Sequence, residues 1–160
     1  VAPKWGALSN NNINRLGASG GTYPDASMAM ADRWMGLEDQ IHKRVNGSKS
    51  PLKYVIFMTD GVNSSSSTES RTLSTCTRMK NAGVKIYTIG FALEPGDYTG
   101  YTNRQIARLS SYSSNKAYTF LRSCASSPDH FVKAENTAAL NDAFDKIGKD
   151  IISDVIRVAS

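Results

Sequence analysis

The feature that most restricts the fold is an unbroken apolar run, residues 54–58, which is followed by Thr59, Asp60 and Gly61. An apolar run of this length, bounded by turn residues, is typical of a strand buried on both faces in a parallel sheet. We therefore predict an α/β fold. In such folds ligands bind beyond the carboxyl ends of the strands, which is where Asp60 is expected. The alternative is that Asp60 and Gly61 only begin a turn.

The segments that flank this strand predict helices. Upstream, Pro24 suits a first helical turn, and the helix should end near Asn46 and Gly47. Its apolar residues recur at helical spacing and predict an amphipathic helix: Met30, Trp34, Leu37, Ile41 and Val45. Downstream, Ser66 and Glu69 resemble a capping box that opens a helix ending at Gly83.

A second strand is predicted at residues 84–91, directly after this downstream helix. A strand, a helix and a strand within about forty residues predict a right-handed βαβ crossover. Residues 54–58 and 85–89 should therefore be adjacent parallel strands, with Cys76 on the helix between them. Successive crossovers in one direction should also place this helix and a later one, near 118–125, on the same face of the sheet.

The rest of the chain shows weaker patterns. Residues 1–17 are rich in Asn and Gly and predict an irregular lead-in, whereas residues 93–116 are polar and predict an insertion with a short helix near 103–109. A short strand is predicted at 130–134 and a last strand at 155–158. Between them an apolar stripe predicts a final helix: Leu140, Phe144, Ile147 and Ile151.

Composition excludes several classes of protein. A chain of 160 residues with 40% hydrophobic residues is the size of one domain. Its net charge of +5 comes from scattered residues rather than from a basic run, so we expect no nucleic-acid binding. No stretch approaches the roughly 18–20 apolar residues that span a bilayer, so we expect any export signal or anchor to lie outside these residues.

Enzymatic alternatives have little support. Residues 17–21 satisfy a Gly-x-Ser-x-Gly pattern, but a nucleophile elbow requires a core strand before the serine, and residues 10–14 (NNNIN) do not form one. Gly20 and Gly21 lack the remaining glycine, lysine and strand of a phosphate loop. His42 and His130 are better interpreted as surface or packing residues than as general bases. We therefore predict a non-enzymatic protein, with an α/β hydrolase as the alternative.

Several motifs together resemble a known family. Residues 20–22 (GGT) precede the first helix, residues 57–61 (FMTDG) end a strand, and residues 86–91 (IYTIGF) form the next strand. In this order they resemble the von Willebrand factor A domain. Residues 121–131 (LRSCASSPDHF) and 140–147 (LNDAFDKI) resemble more narrowly the C-terminal part of bacterial TadG-like proteins, which assemble tight-adherence (Flp) pili. The resemblance runs from about residue 18 to 158.

The resemblance implies a metal-ion-dependent adhesion site. Thr22 would offer its hydroxyl and Asp60 its carboxylate, partly through water, to Mg²⁺ or Mn²⁺. The Asp-x-Ser-x-Ser loop of the family is absent here, because the nearest string, residues 25–29, is DASMA and follows no strand. We expect residues 18–160 to form a partial, C-terminal part of such a domain that lacks its first strands. Metal binding should then be weak, and the strand at 54–58 should be an exposed edge.

The function implied by the resemblance is an adhesion or assembly module of a bacterial cell-envelope protein. Its partners would be proteins of the pilus or the envelope. The domain would be extracytoplasmic, either periplasmic or on the cell envelope, and anchored by a segment outside these residues. Besides the hydrolase, the remaining alternative is a structural domain of the same fold whose metal site has decayed.

An extracytoplasmic location bears on the two cysteines, Cys76 and Cys124. An even number of cysteines in an oxidising compartment favours a disulfide, and the crossover geometry places both on helices of one face. We therefore predict a bond between Cys76 and Cys124. The alternative is two buried free thiols.

Overall fold

The computed structural model describes residues 23–47, 50–60, 65–91, 93 and 114–159. The elements, in chain order, are α1 (Pro24–Asn46), β1 (Lys53–Thr59), α2 (Ser66–Asn81), β2 (Val84–Phe91), α3 (Ser114–Cys124), a 3₁₀ turn (Pro128–His130), β3 (Phe131–Ala134) and α4 (Thr137–Ala159). The predicted lead-in at 1–17, the short helix near 103–109 and nearly all of the insertion at 93–116 lie outside the described residues.

The described strands form one parallel sheet with the order β1-β2-β3. Val55 pairs with Ile86 and Met58 with Ile89, which confirms the predicted parallel pair. Thr88 pairs with Phe131 at the start of β3. The α/β fold is therefore confirmed, and among the described strands β1 lies at one end of the order.

The helix between β1 and β2 begins one residue earlier than its capping signal predicts. Ser65, not Ser66, is the N-cap, and its Oγ accepts a hydrogen bond from the Thr68 N–H at 3.2 Å. After α2, Gly83 has a φ of +76°, a left-handed conformation that favours glycine at the end of a helix. The turn then leads directly into β2.

One face of the sheet is covered by α2 and α3, as the crossover rule predicts. Val55 and Phe57 of β1 point into this core, where the Phe57 and Phe120 rings meet edge to face at 6.0 Å. Cys76 of α2 and Cys124 of α3 are both buried and form the predicted disulfide. Lys80 adds a second link, because its Nζ donates to the carbonyl oxygens at the end of α3.

The opposite face of the sheet is covered by α4. Tyr87 and Ile89 of β2 pack there against Ala143 and Ile147. The predicted strand at 155–158 is wrong, because α4 continues through these residues to Ala159. The local sequence is rich in β-branched residues, but no glycine or proline follows Gly148, and extending an existing helix costs far less than starting a new element.

The first helix has the predicted bounds, but its apolar stripe faces away from the core. Met28 is buried, and Ala31 and Met35 pack beside it. The stripe itself, which we call the α1 stripe, is 41–73% exposed and consists of Met30, Trp34, Leu37, Ile41 and Val45. Among the described residues, the α1 stripe is therefore not part of the core.

Ion pairs lie along the face of α1 that turns inward. Three aspartates lie seven residues apart on the inner face, and each meets a cation of a neighbouring element. These pairs are Asp25 with Arg71, Asp32 with Arg78, and Asp39 with Lys53. The first two cations lie on α2, so α1 and α2 run side by side in the same direction.

No helix within the described ranges is long and apolar enough to cross a membrane.

Candidate functional site

The carboxyl edge of the sheet is where the sequence predicts a ligand site. Asp60 follows the last residue of β1 directly, and its side chain is exposed. Helices α1 and α2 both begin at this edge, with Asp25 and Arg71 joined at 2.8 Å near their first turns. Thr22, the second predicted ligand, lies outside the described residues, as do Gly20, Gly21 and Gly61.

Hydroxyl groups are abundant at the start of α2 but are occupied by the helix cap. The Ser65 Oγ lies 2.9 Å from the Thr68 Oγ1 and 3.1 Å from the Ser67 Oγ, in addition to its bond with the Thr68 N–H. A cap of this kind typically contributes about 1 kcal/mol to helix stability. The Ser65 hydroxyl therefore caps the N-terminus of α2.

The described residues fit a divalent cation only in part. They include no group of three or more His, Cys, Asp or Glu side chains placed to hold a metal ion. Mg²⁺ requires six oxygen ligands in near-octahedral geometry, although several are usually waters. Asp60 supplies a carboxylate of the right chemistry at the predicted edge, but one exposed carboxylate is not a complete site.

The ion pairs along α1 set the electrostatics of this side of the molecule. Hydrogen bonds from Lys43, and then from Lys53, lower the pKa of Asp39 to about 2. A hydrogen bond from Arg71 likewise holds the pKa of Asp25 below its usual value. Both carboxylates therefore stabilise the fold above the ordinary Asp pKa, and this stabilisation is lost as the pH falls through their lowered values.

A cavity of about 360 Å³ lies far from Asp60, between α1 and the beginning of β1. Its charged lining includes Asp39, which pairs with Lys43 at 2.8 Å and with Lys53 at 3.1 Å. Asp32, which also lines it, pairs with Arg78. These pairs hold α1 in place and do not suggest a ligand.

A polar network that the sequence interpretation missed joins α4 to the sheet. Asp154 accepts hydrogen bonds from the Tyr54 hydroxyl at 3.0 Å and from the Lys85 ammonium. One turn earlier, Asp150 accepts from the Tyr87 hydroxyl at 3.2 Å. Burial, followed by the nearby Asp150 charge, raises the pKa of the Tyr87 hydroxyl, so it remains a donor at neutral pH. The sequence signal that could have indicated this network is the pair of aspartates four residues apart on the last helix.

His130 packs against this network, in agreement with its interpretation as a packing residue. Its ring lies 4.4 Å from the Tyr87 ring, and its Nε2 is 3.9 Å from the Asp150 carboxylate. Its Nδ1 is buried and has no hydrogen-bond partner within the described part of the chain. Burial, and then the Lys85 charge, lower the pKa of His130. Neutral imidazole is thus the form that the fold favours.

The lowered His130 pKa predicts a pH-dependent stability. The unfolded chain protonates this residue first, so the free energy of unfolding should fall as the pH drops below about 6.5. His130→Phe keeps a ring against Tyr87 and should remove this fall in the free energy of unfolding, which we call the pH step. Thermal melts between pH 7.5 and 5 would measure it. The His42→Gln variant, which lacks the other histidine, should keep the step; a His130→Phe profile identical to wild type would contradict the assignment.

Comparison with known proteins identifies the fold. The sequence profile of the von Willebrand factor type A domain matches residues 10–146. The crystal structure of the pilus adhesin SpaC from Lactobacillus rhamnosus GG in its open conformation superposes with a TM-score of 0.56 and 19% sequence identity. That match covers 85% of this chain and 20% of the adhesin. A second crystal form gives a TM-score of 0.51 and 18% identity, with 84% and 19% coverage.

These relationships differ in what they establish. The chain spans about a fifth of the adhesin's length, and at this identity the structural match shows a shared fold. No curated protein has a significant sequence match. The family profile, by contrast, covers most of the chain, including β1, β2 and the three helices that flank them. The chain belongs to the von Willebrand factor type A domain family.

Proposed function

We propose that this domain is a non-enzymatic adhesion or assembly module that binds a protein partner at the carboxyl edge of its sheet. The single observation that carries the proposal is Asp60, an exposed carboxylate directly after β1 in a von Willebrand factor type A fold. The fold shared with a pilus adhesin supports the same reading. This structural match shows only that the fold is shared, and a shared fold does not define function.

We further propose a bacterial extracytoplasmic location and a role similar to that of TadG-like pilus-assembly proteins. The disulfide supports an oxidising compartment, since disulfides are rare in proteins of a reducing cytosol. The two segments that resemble TadG-like proteins lie in α3 and the following turn, residues 121–131, and in α4, residues 140–147. The partners would then be proteins of the pilus or the cell envelope, and an anchor would lie outside these residues.

The proposal also includes the binding of a metal ion at this edge of the sheet. Asp60 would act as one ligand of Mg²⁺ or Mn²⁺ and Thr22 as another, with water filling most of the shell. A hard cation held in this way would leave a position that a partner's carboxylate can occupy. Because so few ligands come from the protein, the 160-residue chain should bind either cation only weakly.

Calorimetric titration tests the metal proposal. We expect a dissociation constant in roughly the millimolar range for Mn²⁺, as for weak oxygen-ligand sites. Asp60→Ala should abolish the heat of binding, whereas Asp145→Ala, which removes an exposed carboxylate on α4, should leave it unchanged. Tight binding that survives Asp60→Ala would place the site elsewhere. Heats that are the same in all three proteins would favour a structural domain with a decayed site.

An attachment assay tests the function itself. Cells that carry Asp60→Ala in the chromosomal copy should attach to surfaces less than wild-type cells, at equal levels of folded protein. Cells that carry Asp145→Ala serve as the matched control and should attach normally. Normal attachment by the Asp60→Ala cells would overturn the proposed adhesion site, and turnover of generic ester or phosphate substrates by the purified domain would overturn the non-enzymatic assignment.

A further inference from the structure

Four arginines that are far apart in the sequence lie on one side of the fold. Arg71 and Arg78 extend from α2 and are 61% and 58% exposed. Arg33 and Arg44 lie on α1, and both are exposed. Ala26 borders the groove between α1 and α2, and the two α1 arginines follow it by seven and eighteen residues, close to two and five helical turns. All four therefore lie beside this groove on the outer surface, which we call the arginine face.

Acidic side chains of the same helices only partly neutralise the arginine face. The three aspartates of α1 lie on its inner face, are partly buried and are paired with cations. Glu38 lines a cleft on the side of α1 toward β1, and Glu69 precedes Arg71 by two residues, which places it on another side of α2. Two aspartates beside the groove offset two of the four arginines, so the arginine face carries a net positive charge.

The arginines of α2 retain hydrogen-bond donors for a further partner. The Arg71 Nε donates to Asp25 at 2.8 Å, and its Nη2 lies 3.4 Å from the Thr68 Oγ1. Arg78, seven residues later, makes the equivalent contacts with Asp32 at 2.7 Å and with a threonine hydroxyl at 3.5 Å. Each guanidinium has five N–H donors, and the Nη1 groups have no partner within the described residues. Nη1 and Nη2 together form an edge that can bind a carboxylate in bidentate fashion.

The groove between the two helices has room for a side chain. Its volume is about 380 Å³, and its lining includes the small residues Ala26 and Ala29 of α1 and Ser74 of α2. Arg71 and Arg78 also line it and are about 10 Å apart along the helix axis. Ser74 lies between them along α2 and is exposed. A carboxylate that enters the groove would therefore meet two guanidinium groups and a hydroxyl.

From these observations we infer that the arginine face is a docking surface for an acidic segment of a partner protein. One carboxylate of that segment would enter the groove between Arg71 and Arg78, and others would lie near Arg33 and Arg44. Charge complementarity of this kind steers association and selects the partner. The inference rests on the proposed function, since it assumes a protein partner, but it concerns a different surface from Asp60.

The geometry favours separate carboxylates over a continuous polyanion. A nucleic acid or an anionic membrane presents closely spaced phosphates along its surface. Such a row would meet Asp25 and Asp32 as well as the arginines, because one aspartate lies beside each arginine of α2. The carboxylates of a protein segment can contact the guanidinium groups while neutral residues face the aspartates.

A model peptide tests the inference on the whole chain. The probe is a blocked, fluorescently labelled peptide of alanine and serine with four glutamates, and the matched probe has glutamine at the same four positions. We expect fluorescence anisotropy to show binding of the glutamate peptide, with at least about tenfold weaker binding of the glutamine peptide. Raising the salt concentration from about 50 to about 300 mM should weaken the binding, because exposed charges are then screened. Equal binding of the two peptides, or binding of neither, would overturn the inference.

Substitutions then locate the site. The double variant Arg33→Gln with Arg44→Gln changes two exposed residues that form no ion pair within the described ranges, so the fold should be unaffected. Its affinity for the glutamate peptide should fall at least about fivefold. The matched control, Lys146→Gln with Lys149→Gln, removes the same charge from the exposed side of α4 and should bind like wild type. Equal loss of affinity in both double variants would show a general charge effect and overturn the arginine face.

The groove is tested by a variant that keeps its charge. Arg71→Lys with Arg78→Lys retains a cation beside each aspartate but loses the planar edge that binds a carboxylate in bidentate fashion. We expect at least about threefold weaker binding of the glutamate peptide at an unchanged melting temperature. Unchanged affinity would reject the groove as the carboxylate site. Tighter binding of polyphosphate, or of vesicles that contain phosphatidylglycerol, than of the glutamate peptide would overturn the choice of an acidic protein segment.

The test is separable from that of the proposed function. Peptide binding is measured with EDTA present and should be unaffected by Asp60→Ala. Binding of the peptide together with normal attachment of Asp60→Ala cells would keep the arginine face and reject the metal-dependent adhesion site. Failure of the peptide together with impaired attachment of those cells would do the reverse.

Discussion

Replacing both Cys76 and Cys124 by alanine should lower the free energy of unfolding by about 4 kcal/mol. The bond links positions 48 residues apart and therefore restricts a long loop in the unfolded chain, which includes all of β2. In the folded protein it joins α2 to α3 on the same face of the sheet, with both cysteines buried. For a chain of this length the loss corresponds to a fall in melting temperature of roughly 10 °C.

Urea denaturation in the presence and absence of a reductant measures this effect. Reductant should destabilise the wild-type protein to nearly the same extent as the double substitution, and it should have no further effect on the double variant. An unchanged denaturation midpoint of the wild-type protein after complete reduction, checked by mass spectrometry of alkylated thiols, would contradict the prediction.

Gly90→Ala should be destabilising by about 1–3 kcal/mol, the usual cost of overpacking a core. A Cβ at this position would lie 2.8 Å from the Leu93 Cδ1, 3.0 Å from the Leu121 Cδ1 and 3.1 Å from the Tyr118 Cε1. Three neighbours would have to move at once, and all three belong to the buried core beside β2. Glycine is required here for close packing rather than for its backbone freedom.

A matched glycine on α1 should respond in the opposite direction. A Cβ at Gly36 would meet nothing within 4 Å, and the residue lies inside a helix. Gly36→Ala should therefore stabilise the protein by about 0.5–1 kcal/mol through its helix propensity. Parallel urea titrations of the two variants give the comparison. A Gly90→Ala protein as stable as wild type would show that Leu93 and Leu121 can move aside at little cost.

The central βαβ unit was predictable because each of its signals is local. The apolar run at 54–58, the serine-rich start of α2 and the run at 84–91 each specify an element without reference to distant residues. The handedness of the crossover then fixes how they assemble, and the pairing of Cys76 with Cys124 follows from the shared face. The exposed position of Asp60 at the end of β1 was predictable for the same reason.

The orientation of α1 was not predictable in this way. Periodicity shows which residues of a helix share a face, but it does not show which face turns inward. The inner face of α1 carries Asp25, Asp32 and Asp39, whose partners lie up to 46 residues away in the sequence, beside the buried Met28. Among the described residues the α1 stripe is instead exposed.

The same distinction applies to the polar contacts beneath α4. Asp150 and Asp154 look like surface residues of a helix when the sequence is considered alone, and their partners Tyr54, Lys85 and Tyr87 lie 63–100 residues earlier. Local propensity and spacing therefore determined which elements form and how the crossover is connected. Which faces those elements bury was decided by contacts between groups that meet only in the folded state, both the apolar packing of the core and the long-range ion pairs and hydrogen bonds.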